Sequence, residues 1–265
     1  MNTETVYFDS GNLATYVSTL GSTFEATLDT PISFPKNSNP TVELRTAEIW
    51  NVFPNITTGV NDLFRVEDDG TDSGTAKSAT IVIPQGTYET ATLNNKIQLF
   101  MEEEGFAANI ISLSPDNSTG KVLLTFNNTG VTVNFTIAQT FRVLLGFDSQ
   151  NITSIVKPQY NFGDSVAKFN TINSLFIKTD IVDNGIPLNG KYSHILSKVP
   201  ITARVGSQIN YEPRNPAIDN CRKLINNHRL TYTFRLTDQT GALVNTNGEQ
   251  WGISLLFKWR DIFNK

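Results

Sequence analysis

One cysteine, Cys221, and two histidines, His194 and His228, are all that 265 residues offer for thiol or imidazole chemistry. A lone thiol cannot form an intramolecular disulfide, so packing must hold the fold and no oxidising compartment is required. Neither histidine stands in a HExxH or HxH spacing, which leaves no zinc motif. Cys221 and His228 could approach as a thiol–imidazole pair across a polar connection, but a small buried side chain is the simpler role for the cysteine. There is no GxSxG turn and no phosphate-cradling glycine loop. The adjacent carboxylates Asp68/Asp69 and Glu102–Glu104 fall in a polar segment and at the polar end of a predicted helix, where solvated charge explains them. No stretch approaches the ~20 apolar residues of a membrane span. Met1–Leu20 has neither the basic start nor the apolar run of a signal peptide. Sequons at Asn55, Asn117, Asn127, Asn134 and Asn151 therefore carry little weight. Basic residues are outnumbered too: net charge is −4 and the pI about 5.3. That balance disfavours non-specific nucleic-acid binding. The first Lys or Arg is Lys36, so an N-terminal arm packaging a genome is not expected. These absences predict a non-enzymatic chain without cofactor, metal, direct nucleic-acid contact or membrane insertion.

What is present is alternation. In Arg229–Thr237, Leu230, Tyr232, Phe234 and Leu236 share one phase, and after a turn-rich connection Trp251, Ile253, Leu255, Phe257 and Trp259 share another. Side chains alternate faces along a strand, so each run has one face to bury. Asp238-Gln239-Thr240-Gly241 and Asn247-Gly248 supply turn conformations that other residues resist. Trp50, Trp251, Trp259 and the tyrosines could stack on sugars in a lectin, but the phase of Trp251 and Trp259 predicts burial in the core or against a neighbouring subunit.

Three blocks follow from the change of pattern along the chain. Residues 1–77 alternate as strands and end in Glu67–Lys77, an acidic, glycine-bearing segment that reads as a solvated linker and does not match a calcium loop. Residues 78–158 mix strand and helix. Ala79–Ile83 is apolar, and Leu93, Ile97, Phe100 and Met101 recur at helical spacing, with Thr90 or Thr92 to cap the helix and Gly105 to end it. Strands are predicted at Ala108–Leu113, Val122–Phe126 and Val131–Phe135, the last two as a hairpin through Asn127–Gly130, followed by a short helix over Gln139–Leu145. Residues 159–265 return to strands at Ser174–Val182, Val199–Val205, Gln208–Tyr211 and the terminal pair. A β domain interrupted by a small α+β insertion explains this order, because insertions are tolerated at exposed tips. The expected fold is mainly β: a sandwich of two antiparallel sheets, in two parts, with an inserted α+β domain.

Two sets of motifs resemble a known family. Tyr211-Glu212-Pro213-Arg214-Asn215-Pro216, then Leu236–Gly241 with Asp238 and Gly241, then Asn247-Gly248-Glu249 before Trp251, are similar to the region around the last strands of penton (vertex) proteins of virophages and Polinton-type viruses. Ile83–Tyr88, with Pro84, Gly86 and Tyr88, and Leu144–Phe147, with Leu144, Gly146 and Phe147, resemble a small module of several viral capsid and tail proteins. The resemblance covers the central and C-terminal blocks. It implies a single jelly roll and a homopentamer at the five-fold vertices of an icosahedral double-stranded DNA virus capsid. The neighbours would be trimers of a double-jelly-roll major capsid protein, and a host receptor would be met through the inserted domain. The location implied is the virion vertex, with assembly inside the host cell rather than secretion. The terminal segment from Arg260 and the N-terminal arm are candidate contacts with neighbouring subunits. The alternative is a glycan- or receptor-binding fibre head.

Overall fold

In this computed structural model the described residues are 1–11, 14–16, 19–182, 185–187, 193–215, 222–225 and 228–260. Two compact units emerge: unit 1 is Met1–Phe53 with Ile172–Lys265, and unit 2 is Pro54–Thr171.

Unit 1 begins with β1 (Asn2–Asp9), β2 (Ala14–Tyr16), β3 (Thr23–Ser33) and β4 (Thr41–Trp50). Unit 2 carries β5 (Leu63–Asp68), β6 (Lys77–Val82), α1 (Thr90–Glu103), β7 (Ile111–Asp116), β8 (Lys121–Phe126), β9 (Val131–Asn134), α2 (Arg142–Leu145), β10 (Asn151–Thr153) and β11 (Gln159–Phe162). Unit 1 then resumes with β12 (Ser174–Thr179), β13 (Ile195–Pro200), β14 (Gln208–Tyr211), β15 (Arg222–Lys223), β16 (His228–Thr237) and β17 (Trp251–Trp259). The chain is mainly β, and every strand pairing among the described residues is antiparallel apart from an isolated bridge, Leu63 with Thr140. No helix among the described residues is long and apolar enough to cross a membrane.

The sheets of unit 1 run β1-β17-β4-β14, with β15 also on β4, and β13-β12-β16-β3-β2. With the short β2 and β15 set aside, the strands taken in order pair first with last (β1–β17), second with seventh (β3–β16), third with sixth (β4–β14) and fourth with fifth (β12–β13). That is one long antiparallel ribbon rolled over itself, the jelly roll. Its core receives residues from both sheets. Phe8 meets Tyr232 and Phe234 at ring-centroid distances of 5.1 and 4.9 Å, and Phe24 stands edge-on to Trp251 at 4.8 Å. The expected phase of the last strand holds: Trp251, Ile253, Leu255 and Phe257 are buried, while Trp259 is half-buried against Phe34. The phase of β16 holds from Tyr232 to Leu236 but not at Leu230, which is 40% exposed. Opposite Arg229–Thr231 the register with β3 slips from Ile32 to Thr27, and this bulge takes Leu230 out of the inward row. Trp251 is fixed at both ends: its backbone N–H donates to Ser10 Oγ at 2.9 Å and its Nε1–H to Gly21 O at 3.2 Å. On the outer side of the same sheet, the buried Glu43 carboxylate of β4 accepts from Lys258 of β17 at 2.6 Å.

Unit 2 has its own core, around Phe64, Leu93, Ile97, Met101, Phe126, Phe135 and Phe141. Its sheets run β10-β9-β5-β6 and β11-β8-β7. The helix begins at Glu89 rather than at Thr90 or Thr92. Thr92 sits at the third helical position and closes a capping box with Glu89, its hydroxyl accepting the Glu89 N–H at 3.0 Å. Gly105, at φ 78°, ends the helix: its N–H returns to Glu102 O and that of Phe106 to Met101 O, both at 2.9 Å. Two polar side chains of α1 close the edge of β7. Asn94 Oδ1 accepts from Leu113 N at 2.8 Å and Gln98 Nε2 donates to Ile111 O at 2.6 Å. The second helix is shorter than expected, Arg142–Leu145, and stops at Gly146 with φ 84°.

Three expectations change here. The units divide at Phe53/Pro54 and Thr171/Ile172, outside the 78–158 span, because β5 pairs with β6 and β9, and β11 with β8. Glu67–Lys77 is not a linker between domains: it ends β5, starts β6 and turns between them. The hairpin over Asn127–Gly130 does not form. β8 pairs with β7 and β11, and β9 with β5 and β10, so 127–130 carries the chain from one sheet to the other. Alternation identifies a strand's faces without naming its partner.

Since the two cores share no residue, residues 54–171 expressed alone should fold cooperatively, with protected amides in β5, β8 and β9 by hydrogen exchange. Uniform exchange at unprotected rates would show that unit 2 depends on unit 1.

Candidate interaction surfaces

The motif residues singled out in the sequence lie in turns and cores. Tyr211 closes β14 opposite Ala47 and packs on the unit 1 core. Pro213 is buried, while Glu212, Arg214 and Asn215 are exposed, so the chain is anchored by one proline as it leaves the ladder. Pro216 and Cys221 lie outside the described residues, as do 261–265 of the terminal segment. The side chain of Asp238 organises the turn after β16. Its Oδ1 accepts from Thr240 N at 2.8 Å, Thr240 Oγ1 at 2.6 Å and Ala242 N at 3.0 Å, and Gly241 takes φ 92°. Asn247 and Gly248, at φ 54° and 84°, lie between Thr246 O and Glu249 N, which bond at 3.0 Å; this is the type I′ arrangement that Asn-Gly favours.

In unit 2, the Tyr88 hydroxyl donates to Pro84 O at 2.8 Å, and a Cβ at Gly86 would lie 3.1 Å from the Tyr88 ring. Leu144 is buried, and Phe147 stacks on Phe135 at 5.0 Å. A Cβ at Gly146 would strike Ser165 O at 2.2 Å, where the returning chain bonds back through Ser165 N to Gly146 O at 2.9 Å.

Asn55, read in the sequence only as a sequon, is the polar centre of this arrangement. It is buried, accepts from Tyr88 N at 2.9 Å, and donates to Tyr88 O at 2.8 Å and Phe169 O at 3.1 Å. One amide thus joins the first residues of unit 2, the Pro84–Tyr88 turn and the last residues of the unit. A buried asparagine beside a proline carries no periodic signal, so pattern reading passes over it.

The acidic turn between β5 and β6 has a similar job. Asp72 accepts from Lys157 Nζ, Thr129 N and Thr129 Oγ1, each at 2.7 Å, and Asp69 N donates to Gly130 O at 3.1 Å. The hydrogen bond from Lys157, followed by those from Thr129, holds the Asp72 carboxyl down to about 2. The Asp72 carboxylate and the Asp69 backbone thus grip the connection between the two sheets of unit 2.

The histidines are placed apart. His194 Nδ1–H donates to Val182 O at 2.9 Å, and His228, opposite Ser33 in the β3–β16 ladder, contacts its hydroxyl at 2.5 Å. Exposed aromatic surface concentrates elsewhere. On β11, an edge strand, Tyr160 and Phe162 point to one face and are 59% and 53% exposed. Trp50 and Tyr7 are the other large aromatics open to solvent among the described residues. In unit 1, β1 and β13 are edge strands.

No family model matches the chain, and no curated protein matches it. Solved structures do. The crystal structure of the selenomethionine-labelled mavirus penton protein matches at 12% identity over 97% of this chain and 100% of that one, with a TM-score of 0.49. A chain of the Sputnik virophage, from electron cryo-microscopy, matches at 14% identity over 96% and 97%, with a TM-score of 0.42. The chain is thus similar, over nearly its whole length, to the mavirus penton protein and to a chain of the Sputnik virophage.

Replacing Asn55 by Ala strands one buried N–H and two carbonyls, and should destabilise unit 2 by about 3 kcal/mol in urea unfolding. A loss below about 0.5 kcal/mol would mean that the amide is not a central tie. For Asp72, a carboxyl depressed in the folded state stabilises it above the unfolded value near 4, and that contribution disappears as pH falls through about 2. Asp72→Asn should therefore lose this component of the acid limb, and the carboxyl carbon of the native residue should titrate by NMR at about 2, moving up in Lys157→Ala.

Proposed function

We propose that the protein is a penton of the virophage or Polinton-type kind: a structural capsid subunit whose homopentamers close the five-fold vertices of an icosahedral double-stranded DNA virus. The observation that carries this reading is the strand order of unit 1, a single jelly roll. The Pro84–Tyr88 and Leu144–Phe147 motifs lie in the unit interpolated between its third and fourth strands. The Tyr211–Asn215 motif follows the sixth strand, and Asp238–Gly241 and Asn247–Gly248 join the last two. A jelly roll that ends in open edges, here β1 and β13, is completed when copies close a ring about a rotation axis. The mechanism is geometric: the ring sets the vertex, and its flanks meet the double-jelly-roll major capsid protein. Tyr160 and Phe162 of unit 2 offer an aromatic surface for a host receptor.

Native mass spectrometry of the purified chain, over a range of protein concentration and salt, tests the proposal. A pentamer is the expected species, alone or on addition of the major capsid protein. A trimer would overturn it in favour of a fibre head.

A further inference from the structure

The outer face of the β13-β12-β16-β3 sheet holds a cationic pocket that no fold requirement explains. Lys178 of β12 and Arg235 of β16 are direct cross-strand partners. Like charges placed opposite each other in a ladder destabilise it. Among the described residues neither makes an ion pair or a hydrogen bond. The neighbouring carboxylates are otherwise placed. Asp180 pairs with Arg229 and accepts from Thr233 N at 3.1 Å, and Glu25 lies across from Thr233 without bridging to Arg235. Two cations at one ladder position, with no partner among the described residues, stand out in a chain of net charge −4.

These side chains line a cavity of about 490 Å³ together with Thr179, Ser193, His194, Thr233 and Asp180, the carboxylate of the last being paired with Arg229. That volume is typical of small-molecule sites. His194 commits Nδ1–H to Val182 O and keeps Nε2 as its remaining hydrogen-bonding atom.

We propose that this pocket binds a tetrahedral oxyanion, the sulfate or phosphate ester of a small ligand. The guanidinium of Arg235 presents a planar fork that matches two such oxygens, and the Lys178 ammonium is a compact charge that meets a third. Malonate carries comparable charge on two planar carboxylates, neither of which can present three oxygens from one centre. The site belongs to unit 1 and does not depend on the capsid reading.

Isothermal titration calorimetry of the full chain near physiological salt provides the test, with a sulfated heparin tetrasaccharide, inorganic pyrophosphate and malonate as probes. Binding of the first or the second is expected, tighter for the tetrasaccharide if the ester is carried on sugar and for pyrophosphate if it is phosphate. Lys178→Ala and Arg235→Ala should each weaken it about tenfold, while Arg65→Ala, on an exposed pair in unit 2, should leave it unchanged. Both pocket variants should keep or raise the melting temperature, since each relieves a like-charge pair. Failure of both oxyanions to bind, binding unaltered by the pocket variants, or equal binding of malonate would overturn the proposal.

Discussion

Unit 1 depends on where its last strand goes. β17 lies between β1 and β4, so the N-terminal strand has no ladder until residues 251–259 arrive. β16 plays the same part in the other sheet, between β12 and β3. The two strands of clearest alternation are thus both inner strands, flanked on both sides and buried on one face. Pairs such as Asn2 with Trp259 join the ends of the chain. Contacts of that span make folding slow, because loop closure precedes the stabilising contacts. They add little to the equilibrium burden of an insertion, as doubling a loop raises its closure cost by only about 0.6 kcal/mol. A unit that folds around its own core, placed between the third and fourth strands, is compatible with both facts.

Unit 2 meets the same demand for closure by other means. It is built from short strands in two small sheets, and short sheets leave edges and connections to be held. Side chains do the holding: Asn94 and Gln98 along β7, Asn55 between the two ends of the unit, and Asp72 across the connection from β8 to β9. Each replaces a backbone ladder with a polar side chain, so each belongs to a few hydrogen bonds rather than to a hydrophobic face. The richness in Asn and Thr has this meaning here as much as it reflects turns.

What the sequence makes legible follows from that contrast. The terminal strands, the helix from Leu93 to Met101, the stops at Gly105 and Gly146, and the Asn247-Gly248 turn were all readable, because periodicity and positive φ are local properties. The jelly-roll order was reached only through the resemblance, since alternation is silent about partners. The unit boundaries were misplaced for a related reason. Glu67–Lys77 has no apolar anchors and looks like a linker, yet its Asp72 carboxylate makes contacts more than fifty residues away, at Thr129 and Lys157. Leu230 fails because a bulge opposite it lies on another strand. Asn55 fails because a buried amide has no pattern at all.

The motif residues also divide fold from function. Asp238, Gly241, Asn247 and Gly248 set turns, Trp251 fills the core, and Gly146 lets two backbones approach. A resemblance carried by such residues is a statement about how the chain folds, and any surface that recognises another molecule must be built from residues the motifs omit. The side chains that meet this condition are the ones that do nothing for their own unit. Tyr160 and Phe162 leave aromatic rings in water on an edge strand, and Lys178 opposes Arg235 across a ladder that would be more stable without the pair. Sequences that fold well agree with themselves at every level, and local disagreements gather where a site has been placed. In this chain the disagreements lie on sheet faces and are made by side chains that the motifs do not include.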